Sequence, residues 1–193
     1  MRHKHTSLFL NALAIGILLT FTLITPGKAQ FVDLGQDPCS TRWRQIKTDN
    51  FQIIYPDFFE DNAQYLANIY EKLYAHANTL GITPKRISMI VRANGGVSNG
   101  NASWAPKKSE LYTAPPQDVS DAWLEHLCIH EFRHIVQYDK VNQGFTKALY
   151  YIFGEQITMA VIGVYVPMWF LEGDATVFET SVGKGGRGRS PEF

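Results

Sequence analysis

Apolar residues recur with distinct periods along the chain. Phe51-Gln52-Ile53-Ile54-Tyr55 is a short β-rich run that stops at Pro56. From Asp61 to Leu80 the spacing becomes helical, with Tyr65, Leu66, Ile69, Leu73 and Leu80 roughly on one face and Gly81 as the stop. Ile87-Ser88-Met89-Ile90-Val91 reads as a second strand, and the order strand–helix–strand predicts a parallel or mixed sheet with a helix across it. Residues 93–118 carry turn chemistry at Asn94-Gly95-Gly96, Asn99-Gly100-Asn101 and Pro115-Pro116, with only Glu110–Thr113 as a short strand. Such a run reads as a surface connector. The alternative is a loop and edge strand bordering a substrate cleft.

The C-terminal half is helical by pattern. Asp118 or Ser120 can cap a helix that runs to about Asn142 and ends at Gly144, with Trp123, Leu124, Leu127, Ile129, Phe132, Ile135 and Val136 as apolar positions. A second helix is predicted over about Thr146–Val164, very apolar from Ile157 to Val166; its apolar run is short for a bilayer and reads as a buried helix. Pro167 starts a last helix over about Met168–Ser181, and the glycine-rich tail Gly183–Arg189 follows.

The N-terminus has a different character. Arg2, His3, Lys4 and His5 precede an apolar stretch from Leu8 to Ile24, and Pro26, Gly27 and Ala29 supply a break and small residues for processing. Residues 1–29 are expected to be a secretory signal peptide, with an uncleaved membrane anchor as the competing reading. Removing Arg2, Lys4 and Lys28 leaves 18 − 3 = 15 basic against 18 acidic residues, a net charge of −3. That balance offers no electrostatic case for nucleic acid. Hydrophobic residues at 45% against 19% charged are enough for a packed core and argue against wholesale disorder. Cys39 and Cys128 could pair after export, but Cys128 falls in a helix expected to be buried and serves equally well as a free core thiol.

Chemistry concentrates in His130-Glu131-Phe132-Arg133-His134. Residues four apart on a helix project from one face, so two imidazoles can share one Zn²⁺ at roughly 2.0–2.1 Å each. Glu131 sits where its carboxylate reaches a zinc-bound water and serves as general base. Three fixed residues in five arise by chance in about one chain in a few hundred of this size, so the pattern needs support. Support comes from the flanking apolar residues, which bury the helix and oblige its polar groups to find partners. Catalytic zinc normally takes three protein ligands plus water. The third is expected to be Glu172 in Trp169-Phe170-Leu171-Glu172-Gly173-Asp174-Ala175, where Gly173 and Ala175 allow close approach to the metal. Asp174 and Glu179 are candidates to accept the second N–H of a ligating imidazole. Arg133 points away from the ligand face as a salt-bridge or capping residue, and His126 is a polar neighbour. Tyr138, Tyr151 and Tyr165 have suitable chemistry to stabilise an oxyanion, and sequence places none of them.

These two motifs together resemble the gluzincin metallopeptidases, in which a glutamate in a Glu-Gly-x-Ala setting completes the zinc site. More closely, the chain is similar to the peptidase-MA-like domain of large exported proteins of Gram-negative bacteria, over most of residues 43–193. The similarity includes Phe51–Tyr55, Ser98-Asn99-Gly100, Ala105-Pro106, Pro115-Pro116-Gln117 and Gly188-Arg189. It implies His130, His134 and Glu172 as zinc ligands and Glu131 as base. It also implies that complete members often continue into β-propeller-like repeats, so residues 30–193 are expected to be a C-terminally incomplete zincin-like domain.

The expected fold is α+β in two lobes: a small mixed sheet with its helix, a helical lobe after Gly144, and the His-Glu-x-x-His helix between them. The expected function is zinc-dependent hydrolysis of a peptide or protein substrate by an exported enzyme, periplasmic, outer-membrane-associated or extracellular. The alternative is an exported non-catalytic binding or assembly module that keeps zinc. A further idea is membrane association through an interfacial helix over residues 157–171.

Overall fold

The computed structural model describes residues 37–117 and 123–189, which belong to one compact unit, Gly35–Phe193. The candidate signal peptide and the caps Asp118 and Ser120 lie outside the described residues. Phe51–Pro56 forms strand β2, and its alternation puts Phe51, Ile53 and Tyr55 inside and leaves Gln52 and Ile54 half-buried. Ile87–Arg92 (β3) repeats that pattern with Ile87, Met89 and Val91. The two strands run parallel, with Phe51 opposite Ile87, which requires a crossover between them. Helix α1, Glu60–Tyr74, supplies it by burying Leu66, Ile69, Tyr70 and Leu73. Tyr65 lies outside this face, half-exposed, with its hydroxyl on Glu125 at 3.3 Å. The predicted helix to Leu80 is interrupted after Tyr74; a 3₁₀ turn, Ala77–Leu80, ends at Gly81 with φ 71°.

Two strands come from segments with weak strand signals. β1, Trp43–Lys47, pairs antiparallel with β2. β4, Ser98–Trp104, pairs antiparallel with β5, Lys107–Thr113, and the sheet order is β1-β2-β3-β5-β4. Asn99-Gly100-Asn101 is therefore not a surface loop but the middle of an edge strand. Its glycine and asparagines have low strand propensity, but the full ladder to β5 overrides that local preference.

Helix α2, Trp123–Val141, lies between the sheet and the C-terminal helices, touching α1, β4 and β5 on one side and the later helices on the other. Every residue from Leu127 to Gln137 is buried in consequence. Phe51 ties the layers together, with ring centroids 5.1 Å from Tyr70 of α1 and 5.8 Å from Phe132 of α2. The helix predicted over Thr146–Val164 is two helices, α3 (Gly144–Phe153) and α4 (Glu155–Tyr165). The break is Gly154 at φ 76°, a left-handed setting that glycine adopts without steric cost. Helix α5, Met168–Val182, turns Leu171, Ala175, Phe178 and Glu179 inward. The α+β class and its coarse two-lobe division match the sequence reading. Cys39 and Cys128 are both free thiols, exposed and buried respectively.

Helices α3–α5 carry an unusual surface. No residue of α3 is buried, and Phe145, Tyr151, Ile152, Phe153, Tyr165 and Trp169 are all more than 60% exposed. Among the described residues no single helix is long and apolar enough to cross a membrane; α4 and α5 together pass that test but bend by 95°.

Candidate metal centre

Helical spacing on α2 stacks the rings of His130 and His134 edge to face at 4.8 Å, with their Nε2 atoms 3.2 Å apart. From α5, Glu172 brings Oε2 to 3.2 Å from His130 Nε2 and Oε1 to 3.6 Å from His134 Nε2. Donor atoms around a tetrahedral ion with bonds of about 2.0–2.2 Å are about 3.3–3.6 Å apart, close to these separations, although the two imidazoles approach different oxygens of the carboxylate. The three residues form a group that could hold a metal ion.

Proton positions in the surrounding network favour that use. Gln137 Nε2 donates to Leu171 O at 2.9 Å and to Asp174 Oδ2 at 2.6 Å, which fixes the orientation of its amide. Its Oε1 then faces His134 Nδ1 at 2.8 Å. An amide oxygen only accepts, so Nδ1 carries the proton and Nε2 presents a lone pair to the centre. Burial lowers the His134 pKa and keeps the ring neutral. Nδ1 of His130 lies 3.3 Å from Glu179 Oε2, a carboxylate that is buried on α5. Two imidazole nitrogens and a carboxylate oxygen converging this closely repel one another unless a cation or a shared proton lies among them, and the donor set suits zinc.

Of the two carboxylates proposed from sequence to accept an imidazole N–H, Glu179 faces His130, whereas Asp174 reaches His134 only through Gln137. Asp174 instead clamps Arg133, with Nε–Oδ2 at 2.6 Å and Nη2–Oδ1 at 2.8 Å. Arg133 is thus the salt-bridge residue its position implied, and it joins α2 to α5. A Cβ at Gly173 would meet no protein atom within 4 Å among the described residues, so packing does not require glycine there. Ala175 is fully buried on the inward face of α5.

Glu131 is 5% exposed on the same cleft wall. Burial pushes its carboxyl up to about 7; the charge of Glu172 adds to this, and His130, Arg187 and a hydrogen bond with the Ala102 backbone oppose it. A proton acceptor near neutrality suits general-base chemistry. Gly100 on β4 leaves the space this side chain occupies, since a Cβ there would lie 2.7 Å from Glu131 Cγ and Cδ.

No protein-family model, curated protein or solved structure matches this chain significantly. The site therefore rests on its own geometry.

His130, Glu131, His134 and Glu172 line one open cleft of about 680 Å³, walled by Asn99–Ala102 of β4, Tyr138 and Met168. β4 is the last strand of the sheet among the described residues, and its residues Asn99–Ala102 line this cleft. Tyr151 and Tyr165 are 75% and 78% exposed and outside the lining, which leaves Tyr138, stacked 6.3 Å from His134, of the three tyrosines. His126 also lines the cleft. Sequence reasoning missed Arg187, whose Nη2 lies 2.5 Å from His130 Nδ1. Its one available signal was a basic residue among the close-packed glycines of the tail.

Proposed function

We propose that this chain is a zinc-dependent peptidase of gluzincin type, with His130, His134 and Glu172 holding the metal and Glu131 acting as general base. The observation that carries the reading is the convergence of those three donors, with Glu131 beside them, in a cleft bordered by β4, the last strand of the sheet among the described residues. Zinc bound there supplies a Lewis acid and lowers the pKa of water toward ~7. Glu131 holds the proton that water gives up and returns it to the leaving amine. Burial raises the affinity of its carboxylate for that proton in the metal-free protein.

The edge strand accounts for the substrate class. Asn99–Ala102 of this edge strand line the cleft, and an extended peptide could add to it as a further strand by displacing the bonds that Gly100 N makes to Asn99 Oδ1 and that the Ala102 backbone makes to Glu131. Gln137, Asp174 and Glu179 hold the imidazoles in orientation. Placement in the periplasm, at the outer membrane or outside the cell belongs to the same proposal and rests on residues 1–29.

The test is a metal assay joined to digestion of a broad peptide library, with a chelator as control. Wild type should bind one zinc and cleave peptides until chelated. Glu131→Gln should keep the metal and lose hydrolysis, and an active Glu131→Gln would refute the assigned base. A second reading, an exported non-catalytic binding or assembly module that keeps zinc, draws support from the exposed apolar surface of α3–α5. Zinc bound without any cleavage would favour it.

A further inference from the structure

Arg187 is the only lysine or arginine among the described residues lining the cleft, which also carries three glutamates, Glu131, Glu172 and Glu179. A dedicated loop puts it there. After α5 ends, the chain folds back onto the helix with almost no clearance: a Cβ at Gly186, where φ is 109°, would lie 2.8 Å from Thr180 Cα, and one at Gly188 would lie 2.8 Å from Thr180 Oγ1. Gly188 N donates to Thr180 Oγ1 at 3.2 Å, and Arg189 Nη1 donates to Lys184 O at 2.9 Å. Arg187 N, Nε and Nη2 all reach the buried Glu179 carboxylate, at 3.0, 3.3 and 3.2 Å. The backbone and one edge of the guanidinium are therefore fixed.

Neutralising Glu179 would account for that edge alone. The other edge differs: Nη1 has no hydrogen-bond partner among the described residues, and the side chain remains half exposed. Nη2 is occupied by Glu179 and by His130, 2.5 Å from its Nδ1 and 3.3 Å from its Nε2, so Nη1 alone is free beside one of the three converging donor atoms. A planar fork anchored on one edge and open on the other, at the rim of the candidate metal centre, is preorganised to donate to a substrate oxygen.

We propose that Arg187 is a catalytic residue that donates hydrogen bonds to the scissile carbonyl oxygen and holds the negative charge that develops on it. This rests on the peptidase reading. The water oxygen bonds to the carbonyl carbon, the C=O π pair moves onto the carbonyl oxygen, and the water proton passes to Glu131. The C–N bond then breaks as the pair returns to the carbonyl, and Glu131 delivers the proton to the leaving nitrogen. Arg187 undergoes no covalent change; its N–H groups meet the oxygen while it is an oxyanion.

The test compares Arg187→Lys, Arg187→Ala and Tyr138→Phe with wild type, after checking zinc content and melting temperature. Arg187→Lys keeps a cation beside Glu179 and so protects the fold, but it loses the open edge of the fork. Losing an oxyanion donor costs about 10²–10³-fold in kcat, so Arg187→Ala should fall by that factor with KM changed only a few-fold. Arg187→Lys should fall at least tenfold, and added guanidinium should restore part of the Arg187→Ala rate. Calorimetry gives a readout independent of turnover: a phosphonate peptide mimicking the tetrahedral anion should bind Arg187→Ala about 10²-fold more weakly. Unchanged kcat and phosphonate affinity in both Arg187 variants would overturn the assignment, as would a full-size loss in Tyr138→Phe alone. If wild type cleaves no peptide, the peptidase reading fails and takes this inference with it. If wild type cleaves and the Arg187 variants match it, this inference alone fails.

Discussion

Replacing Asp174 by alanine strips the Arg133 guanidinium of two of its three hydrogen bonds, at 2.6 and 2.8 Å, and leaves the 2.6 Å bond to Thr79 Oγ1. The Arg133 side chain is 7% exposed, so the orphaned charge is held away from water. Breaking a buried pair by removing one partner costs about 3–5 kcal/mol. Two features place this site at the lower end: the Asp174 side chain is 25% exposed, so water can enter, and the guanidinium still lies 4.8 Å from the Phe178 ring centroid. We expect a loss of about 3 kcal/mol, or roughly 6–12 °C in melting temperature at about 2–4 °C per kcal/mol for a chain of this size. A second effect follows through Gln137, which loses its 2.6 Å bond to Asp174 and holds His134 less firmly. Zinc affinity should drop about 10–100-fold. Melting followed by circular dichroism and zinc titration calorimetry measure the two effects. The double variant Arg133→Met/Asp174→Leu removes the charges together and should regain most of the stability. Burial raises the Asp174 pKa, but bonds from Arg133 and Gln137 outweigh it and hold the carboxyl below its ordinary range. Its folded pKa being depressed, the contribution is present above about pH 3.9 and fades as pH falls, so wild type and Asp174→Ala should converge in acid. A melting point within about 2 °C of wild type at neutral pH, or a double variant as weak as the single, would refute the reasoning.

Glu131 has the opposite sign: with its folded pKa raised to about 7, its contribution to the metal-free protein is most favourable below about pH 4.3 and is lost as pH rises through 7. Metal-free Glu131→Gln should therefore exceed wild type by up to ~3 kcal/mol at pH 8 in urea unfolding, and equal stability would contradict the burial argument. Gly100→Ala places its Cβ 2.7 Å from Glu131 Cγ and Cδ, so the peptidase rate should fall about 10²-fold through a displaced base, with wild-type kinetics as the contrary result. Trp169→Ser and Tyr165→Ser alter side chains 74% and 78% exposed, so each should change stability by less than about 0.5 kcal/mol. A loss of several degrees in melting temperature would mean that these rings are packed after all.

The most legible elements were those whose burial pattern and chemistry coincided. α2 combines an apolar surround with His130, Glu131 and His134, and the inward positions of α5 follow Pro167 with helical spacing. Other features depended on contacts that no local pattern records. β4 is built from Ser98-Asn99-Gly100-Asn101, a composition that reads as a turn until its pairing with β5 is known. β1 has four of its five residues exposed and so lacks an alternating signal. Gly154, followed by the polar pair Glu155-Gln156, separates two helices that a single helical spacing over Thr146–Val164 had merged. Arg187 was hidden for a different reason: its role depends on a loop fitted against Thr180 and Glu179, a long-range fit that a glycine-rich composition presents only as a flexible tail.

Zinc stoichiometry tests the central claim most directly. Protein stripped with chelator, reloaded with zinc, desalted and analysed by atomic emission should hold one zinc per chain in wild type and Glu131→Gln, and far less than one in Glu172→Ala and His134→Ala. Wild type that retains no zinc, or Glu172→Ala that retains it with undiminished affinity, would contradict the account.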